Sequence, residues 1–195
     1  MPIFSRLISL LFMFFYFALI ILALPTPGTG HSEQSSHLQF SYTAPDKVLD
    51  LLVDLKTKIK DPMELVAEAK SYSQVRAQVE VVVAHLEACS KAIIAAGNQN
   101  SINGPISPEI ASNAADIISI IVQACLEVSL RLGWFLVFGI FSQIDICLKE
   151  LINSLESCGE GLVSSVAMFV ASTCTQLLIS LNFNQTMTAL SINDL

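Results

Sequence analysis

The chain has 195 residues, 53% of them hydrophobic and 14% charged, with ten Lys and Arg against 17 Asp and Glu for a formal charge of −7. That balance excludes an acid-rich disordered chain, which could not carry so much apolar surface, and argues against nucleic-acid binding, since no cationic excess exists to neutralise phosphate. Eight Gly and seven Pro are too few for a collagenous or loop-built protein; a mean hydropathy of +0.62 means that a targeting segment raises it or that the protein meets lipid.

Residues 1–30 hold such a segment. Arg6 precedes the uncharged apolar run Leu7 to Leu24, and Pro25-Thr26-Pro27-Gly28-Thr29-Gly30 breaks any helix directly after it. This is the pattern of a secretory signal, with candidate cleavage points after Ala23, Gly28 or Gly30. The run is longer than the usual signal core of roughly 7–15 residues and approaches the roughly 20 that span a bilayer, so an uncleaved anchor is the alternative. No Lys or Arg follows Arg6 until Lys47, which directs the body of the chain to the lumen or exterior in either case.

Residues 31–43 read as a polar linker. His31 and His37 within it are expected to be solvated, because neither Cys nor a third His accompanies them as a metal ligand. From residue 44 to 183 the pattern predicts an all-α bundle of about five helices, followed by a frayed tail over 184–195.

The first helix opens with Thr43 as N-cap, Pro45 in the first turn and Asp46, and carries Val48, Leu52, Leu55 and Ile59 on one face. Its lysine-rich end, Lys56, Lys58 and Lys60, complements the helix dipole and is balanced by Asp50, Asp54 and Asp61. Asp61-Pro62-Met63-Glu64 reads as a second helix start, running to Ala96 before Gly97, with the seam Tyr72, Val75, Val79, Val82, Leu86, Cys89 and Ile93. After a loop of turn residues from Asn98, Ser107-Pro108-Glu109 opens a third helix with the seam Ile110, Ala114, Ile117, Ile121, Ala124 and Val128. Ile118, Ile120 and Val122 make it apolar almost all round, as in a central bundle helix or one near a membrane.

A turn at Leu132 and Gly133 separates it from a fourth helix with Val137, Phe141, Ile144, Leu148, Leu151, Leu155 and Cys158 in its seam; one very long helix is the competing reading. Gly159-Glu160-Gly161 reverses the chain into a fifth helix, Leu162 to Leu181, which is uncharged but rich in Ser and Thr. It is the second membrane candidate, although its polar residues favour a buried bundle helix over a span.

Charge is uneven along the chain. From Ala44 to Lys91 seven basic residues face eight acidic ones, whereas Ala92 to Leu195 holds only Arg131 and Lys149 against eight acids.

Five cysteines follow the targeting segment with no C-x-x-C pair and no His cluster, so zinc and thioredoxin-like chemistry are poorly supported and disulfides fit the secretory address. If the last two helices form a hairpin about Glu160, Cys147 and Cys174 lie level and can pair. Cys158 then comes near Cys89 for a second bridge, and Cys125 is a buried leftover. Five buried thiols is the alternative. Asn184-Gln185-Thr186 is the N-glycosylation sequon.

No catalytic residue, metal or cofactor is expected. There is no G-x-S-x-G, H-E-x-x-H, Walker loop or G-x-G-x-x-G, and His85 stands apart from any partner cluster. Glu150 with Glu156 or Glu160 is the least implausible acid/base set, at a spacing that usually marks a solvated helix face. The reading that follows is a secreted or lumenal, non-enzymatic helical bundle whose apolar later half binds a lipid, a hydrophobic surface or a protein. The alternative is an integral membrane protein with an uncleaved anchor and one or two further spans.

Overall fold

A computed structural model describes residues 44–97, 108–159 and 161–192. The signal or anchor segment, His31, His37, Thr43, the loop 98–107 and Glu160 lie outside the described residues. Among the described residues there are seven helices and no strand: α1 Ala44–Glu68, α2 Tyr72–Gly97, α3 Pro108–Leu132, α4 Trp134–Glu156, α5 Leu162–Thr173, α6 Thr175–Ser180 and α7 Asn184–Ala189.

The first correction falls at Pro62. The sequence suggests a helix boundary at Asp61, but α1 runs through the proline to Glu68. An interior proline removes one backbone hydrogen bond and costs about 3 kcal/mol. Continuing the helix buries Met63 and Val66 on the same stripe as Val48, Leu52, Leu55 and Ile59, and each buried side chain contributes roughly 1.5–3 kcal/mol. The break falls instead at residues 69–71, where a capping arrangement forms: the Gln74 N–H donates to Ser71 Oγ at 3.4 Å and the Lys70 N–H donates to Gln74 Oε1 at 2.9 Å.

The three-residue connection makes α1 and α2 an antiparallel hairpin, with the Cys89 thiol donating to the Leu51 carbonyl at 3.7 Å. Every expected seam residue of α2 from Val75 to Ile93 is buried; Tyr72, at the helix start, is exposed. The third helix is central, as its all-round apolar pattern suggests: α3 packs against α1, α4, α5 and α6. Gly133 alone separates α3 from α4, in a φ of 90° that suits glycine, so the turn and not the single long helix is the outcome. The α4 seam from Val137 to Cys158 is buried throughout. α4 runs parallel to α2, for Cys147 lies near Glu87, and a Cβ built on Gly97 would sit 3.6 Å from Cys158 Sγ.

The expected fifth helix breaks at Cys174 (φ −141°). Hydroxyls around the break compete for the last carbonyls of α5: Ser172 and Thr173 both donate to Phe169 O, at 2.8 and 2.9 Å, and Thr175 donates to Val170 O at 3.4 Å. The twelve residues of α5 rise only about 18 Å, well short of the roughly 30 Å of a bilayer core. No helix among the described residues is long and apolar enough to cross a membrane.

The second correction is the tail. Residues expected to fray form α7, docked on α4. Asn182 takes a left-handed φ of 57°, which Asn tolerates, and turns the chain back. Phe183, Thr186, Met187 and Leu190 are then buried. No side chain next to α7 caps it; the buried Asp145 carboxylate does so from α4. Asp145 Oδ2 accepts the Gln185 N–H at 3.0 Å, and Oδ1 accepts the Thr186 N–H at 2.8 Å and the Thr186 hydroxyl at 2.7 Å. Lys149 Nζ adds a bond to Gln185 Oε1 at 2.9 Å.

Candidate functional site

Gly133 is the single residue between α3 and α4, and several apolar side chains close to it are left uncovered. Leu130 is 79% exposed and Phe135 98%, with Leu136 and Phe138 exposed beside them. Trp134, half-buried, joins this tip to the core: its ring centroid lies 5.4 Å from Phe138 and 6.3 Å from Phe141, and Phe141 lies 6.5 Å from Phe183 of the returning tail. The tip is therefore an aromatic surface braced from below. From Val128 to Ile144 its only formal charge is Arg131. Met168 and Phe169 on α5 and Ile179 on α6 are exposed as well, and residues 161–192 carry no charge at all.

Leaving a Phe or Leu in water forgoes roughly 1.5–3 kcal/mol each. Several such side chains together approach the roughly 5–15 kcal/mol net stability of a whole domain. Exposed apolar side chains also occur on α1 and α2, among them Val53 and Leu65, but the two most exposed, Phe135 and Leu130, both stand at this tip. Sequence reasoning missed Phe135 and Leu136, although a signal was there: aromatic and aliphatic residues fill the positions of α4 that fall off the seam. Asp145 was missed too, and its signal was a lone carboxylate between Trp134 and Cys147.

A hollow of about 740 Å³ lies between α1 and α3 and is lined by Val53, Lys60, Met63, Ile120 and Glu127 among others. At its side Lys56 pairs with Asp116 at 2.6 Å. It holds charges of both signs and no nucleophile with a base. His85 is half-buried and shares a hollow of about 190 Å³ with Asp54, Lys58 and Cys89. A Cys, a His and an Asp in one place invite a nucleophilic reading, but burial, aided by Asp54, pushes the Cys89 thiol up to about 11. A thiol so held is protonated near neutral pH and is not activated. Glu150 and Glu156 are both exposed on α4, consistent with a solvated face. Among the described residues no group of three His, Cys, Asp or Glu could hold a metal.

All five cysteines are buried free thiols, and neither expected bridge, Cys147 to Cys174 or Cys89 to Cys158, is formed. The expected register assumed one straight helix after Gly161, whereas α5 packs chiefly on α3 and ends at Cys174, and Cys147 lies near Glu87 of α2. Cys158 does reach the end of α2, but at Gly97, eight residues and about 12 Å beyond Cys89. Burial raises every one of the five thiols, Cys147 to about 11 with help from Glu87 and Glu150. Asn184 is exposed at the start of α7, its Nδ2 donating to Asn182 Oδ1 at 2.9 Å.

No protein-family model, no curated protein and no solved structure matches this chain.

Proposed function

We propose that this chain is a secreted or lumenal, non-enzymatic helical bundle that binds an apolar partner through the α3–α4 tip, and that the partner is the interface of a lipid bilayer. The observation that carries this reading is the exposure of Leu130, Phe135, Leu136 and Phe138 around Gly133, in a stretch whose only charge is Arg131. Aromatic and aliphatic side chains with a basic residue at their edge suit the boundary between headgroups and acyl chains. A protein partner would ordinarily be held in register by charges or amides at the rim, and the tip offers few. With a formal charge of −7 the chain gains nothing from anionic lipid, so insertion is hydrophobic and a zwitterionic bilayer suffices.

Trp134 is the sole tryptophan and stands in the tip, so it reports directly. Its fluorescence is expected to shift to the blue on adding phosphatidylcholine vesicles, to be quenched by lipids brominated on their acyl chains, and to respond little to salt. Phe135→Asp should weaken vesicle binding roughly 10- to 150-fold, the equivalent of one buried Phe. Failure of the protein to float with vesicles sinks the bilayer reading. Retention on octyl-agarose by the wild type but not by Phe135→Asp would then still support a different apolar partner. Alkaline extraction with N-terminal sequencing tests the address: a soluble product starting near Leu24 to His31 is expected, while a carbonate-resistant product retaining Met1 favours the anchored alternative.

A further inference from the structure

The sequon Asn184-Gln185-Thr186 and the buried carboxylate of Asp145 occupy the same few ångströms, and their chemistry conflicts. N-glycan transfer joins Asn184 Nδ2 to C1 of the first sugar of a lipid diphosphate-linked oligosaccharide. The C1–O bond to the diphosphate breaks, the lipid diphosphate leaves and the amide gives up a proton. The hydroxyl two residues on is part of what the transferase recognises, which is why the acceptor is Asn-X-Ser/Thr. Here that hydroxyl is already committed. Thr186 is fully buried, its Oγ1 donates to Asp145 Oδ1 at 2.7 Å, its N–H donates to the same oxygen at 2.8 Å, and the Gln185 N–H donates to Oδ2 at 3.0 Å.

We propose that Asn184 is a glycan acceptor open only until α7 docks, and that Asp145 is the residue that closes it. This rests on the lumenal reading of the chain. To enter a transferase the sequon must leave α7, and that withdraws three donors from a buried carboxylate while lifting Phe183, Met187 and Leu190 out of the core. The acceptor side chain itself points outward, since Asn184 is exposed. A glycan attached earlier is therefore compatible with the docked tail, so transfer and folding compete for the same chain without excluding the same final structure. Occupancy at Asn184 then measures how long the tail stays undocked.

The test uses the full chain made without glycan, a purified oligosaccharyltransferase and its lipid-linked donor, with gel mobility as readout. Folded wild type should be modified at least tenfold more slowly than Asp145→Asn, which removes the acceptor charge, and than Leu190→Asp, which undocks α7 without touching the carboxylate. Thr186→Val should not be modified in any background. Circular dichroism checks that the variants keep their helices. Should both variants fail to fold, hydrogen exchange on the wild type decides: the Gln185 and Thr186 amides are expected to be protected, and exchange at the rate of an unstructured chain overturns the proposal. Modification of folded wild type as fast as of the two variants overturns it as well. Because the transferase is supplied, this result does not depend on the chain's address. A Leu190→Asp variant left unmodified by a secretory host, with the contrast between wild type and variants intact in the purified reaction, would instead count against the lumenal reading.

Discussion

Along α1 and α2 the exposed faces carry Lys58 paired with Asp54 at 2.7 Å, Arg76 with Glu80 at 2.8 Å and Lys91 with Glu87 at 3.6 Å. The exposed faces of α5, α6 and α7 carry hydroxyls, amides, Met168, Phe169 and Ile179, and no charge. Beneath these exteriors the interiors are alike: Leu52 and Leu86 on one side, Val166 and Leu178 on the other, all fully buried. A helix needs only its inward stripe to dock, so the fold leaves its outer surface free to vary. The outer surface is where the two regions differ, and that is why function is read there.

If the interiors are equivalent, truncating either should cost the same. Leu52→Ala in α1 and Leu178→Ala in α6 are each expected to lower unfolding free energy by about 2–5 kcal/mol in urea titrations. A much smaller loss for one of them would show that its side of the core is loosely packed. Asp145→Ala should cost roughly 1–3 kcal/mol, for buried N–H groups of the tail lose their acceptor. Limited proteolysis should then cut near Asn182 while α1 and α2 stay intact.

The thiols sharpen the comparison along pH. Burial raises Cys89, on the α1–α2 side, and Cys147, on α4, from 9.0 to about 11. The folded state therefore keeps protons that the unfolded state gives up, and the associated stability is present below pH 9 and lost as pH rises towards 11. The Tm should fall across that window, and a Cys89→Ala, Cys147→Ala double variant should show a shallower fall. Identical slopes would mean the thiols are not held as the geometry indicates. The smallest effect belongs to the charged exterior. Lys58→Ala should change stability by only about 0.3–0.5 kcal/mol, less at high salt, because the i,i+4 pair with Asp54 is solvated.

The helical seams were legible because periodicity is local: Val75 to Ile93 and Val137 to Cys158 are buried as their spacing predicts, and Gly133 turns the chain where a glycine permits it. Much of the tip was legible as composition, though not as geometry. Its exposure depends on what the rest of the fold leaves uncovered around Gly133. The S-x-x-Q capping signal at Ser71 was also in the sequence, but the proline at 62 masked it by offering a stronger local stop.

By itself, then, the sequence determined that the region from residue 44 folds as helices with inward apolar stripes and that charge belongs to its first half. Tertiary structure alone decided that α1 passes through Pro62, that the last long helix breaks at Cys174, and that the tail docks. In the first case distant side chains bury Met63 and Val66 and offset a local penalty. In the last, Asp145 caps a helix 41 residues further along the chain. A carboxylate's donors cannot be read from its neighbours in sequence, because only folding brings them within hydrogen-bonding distance.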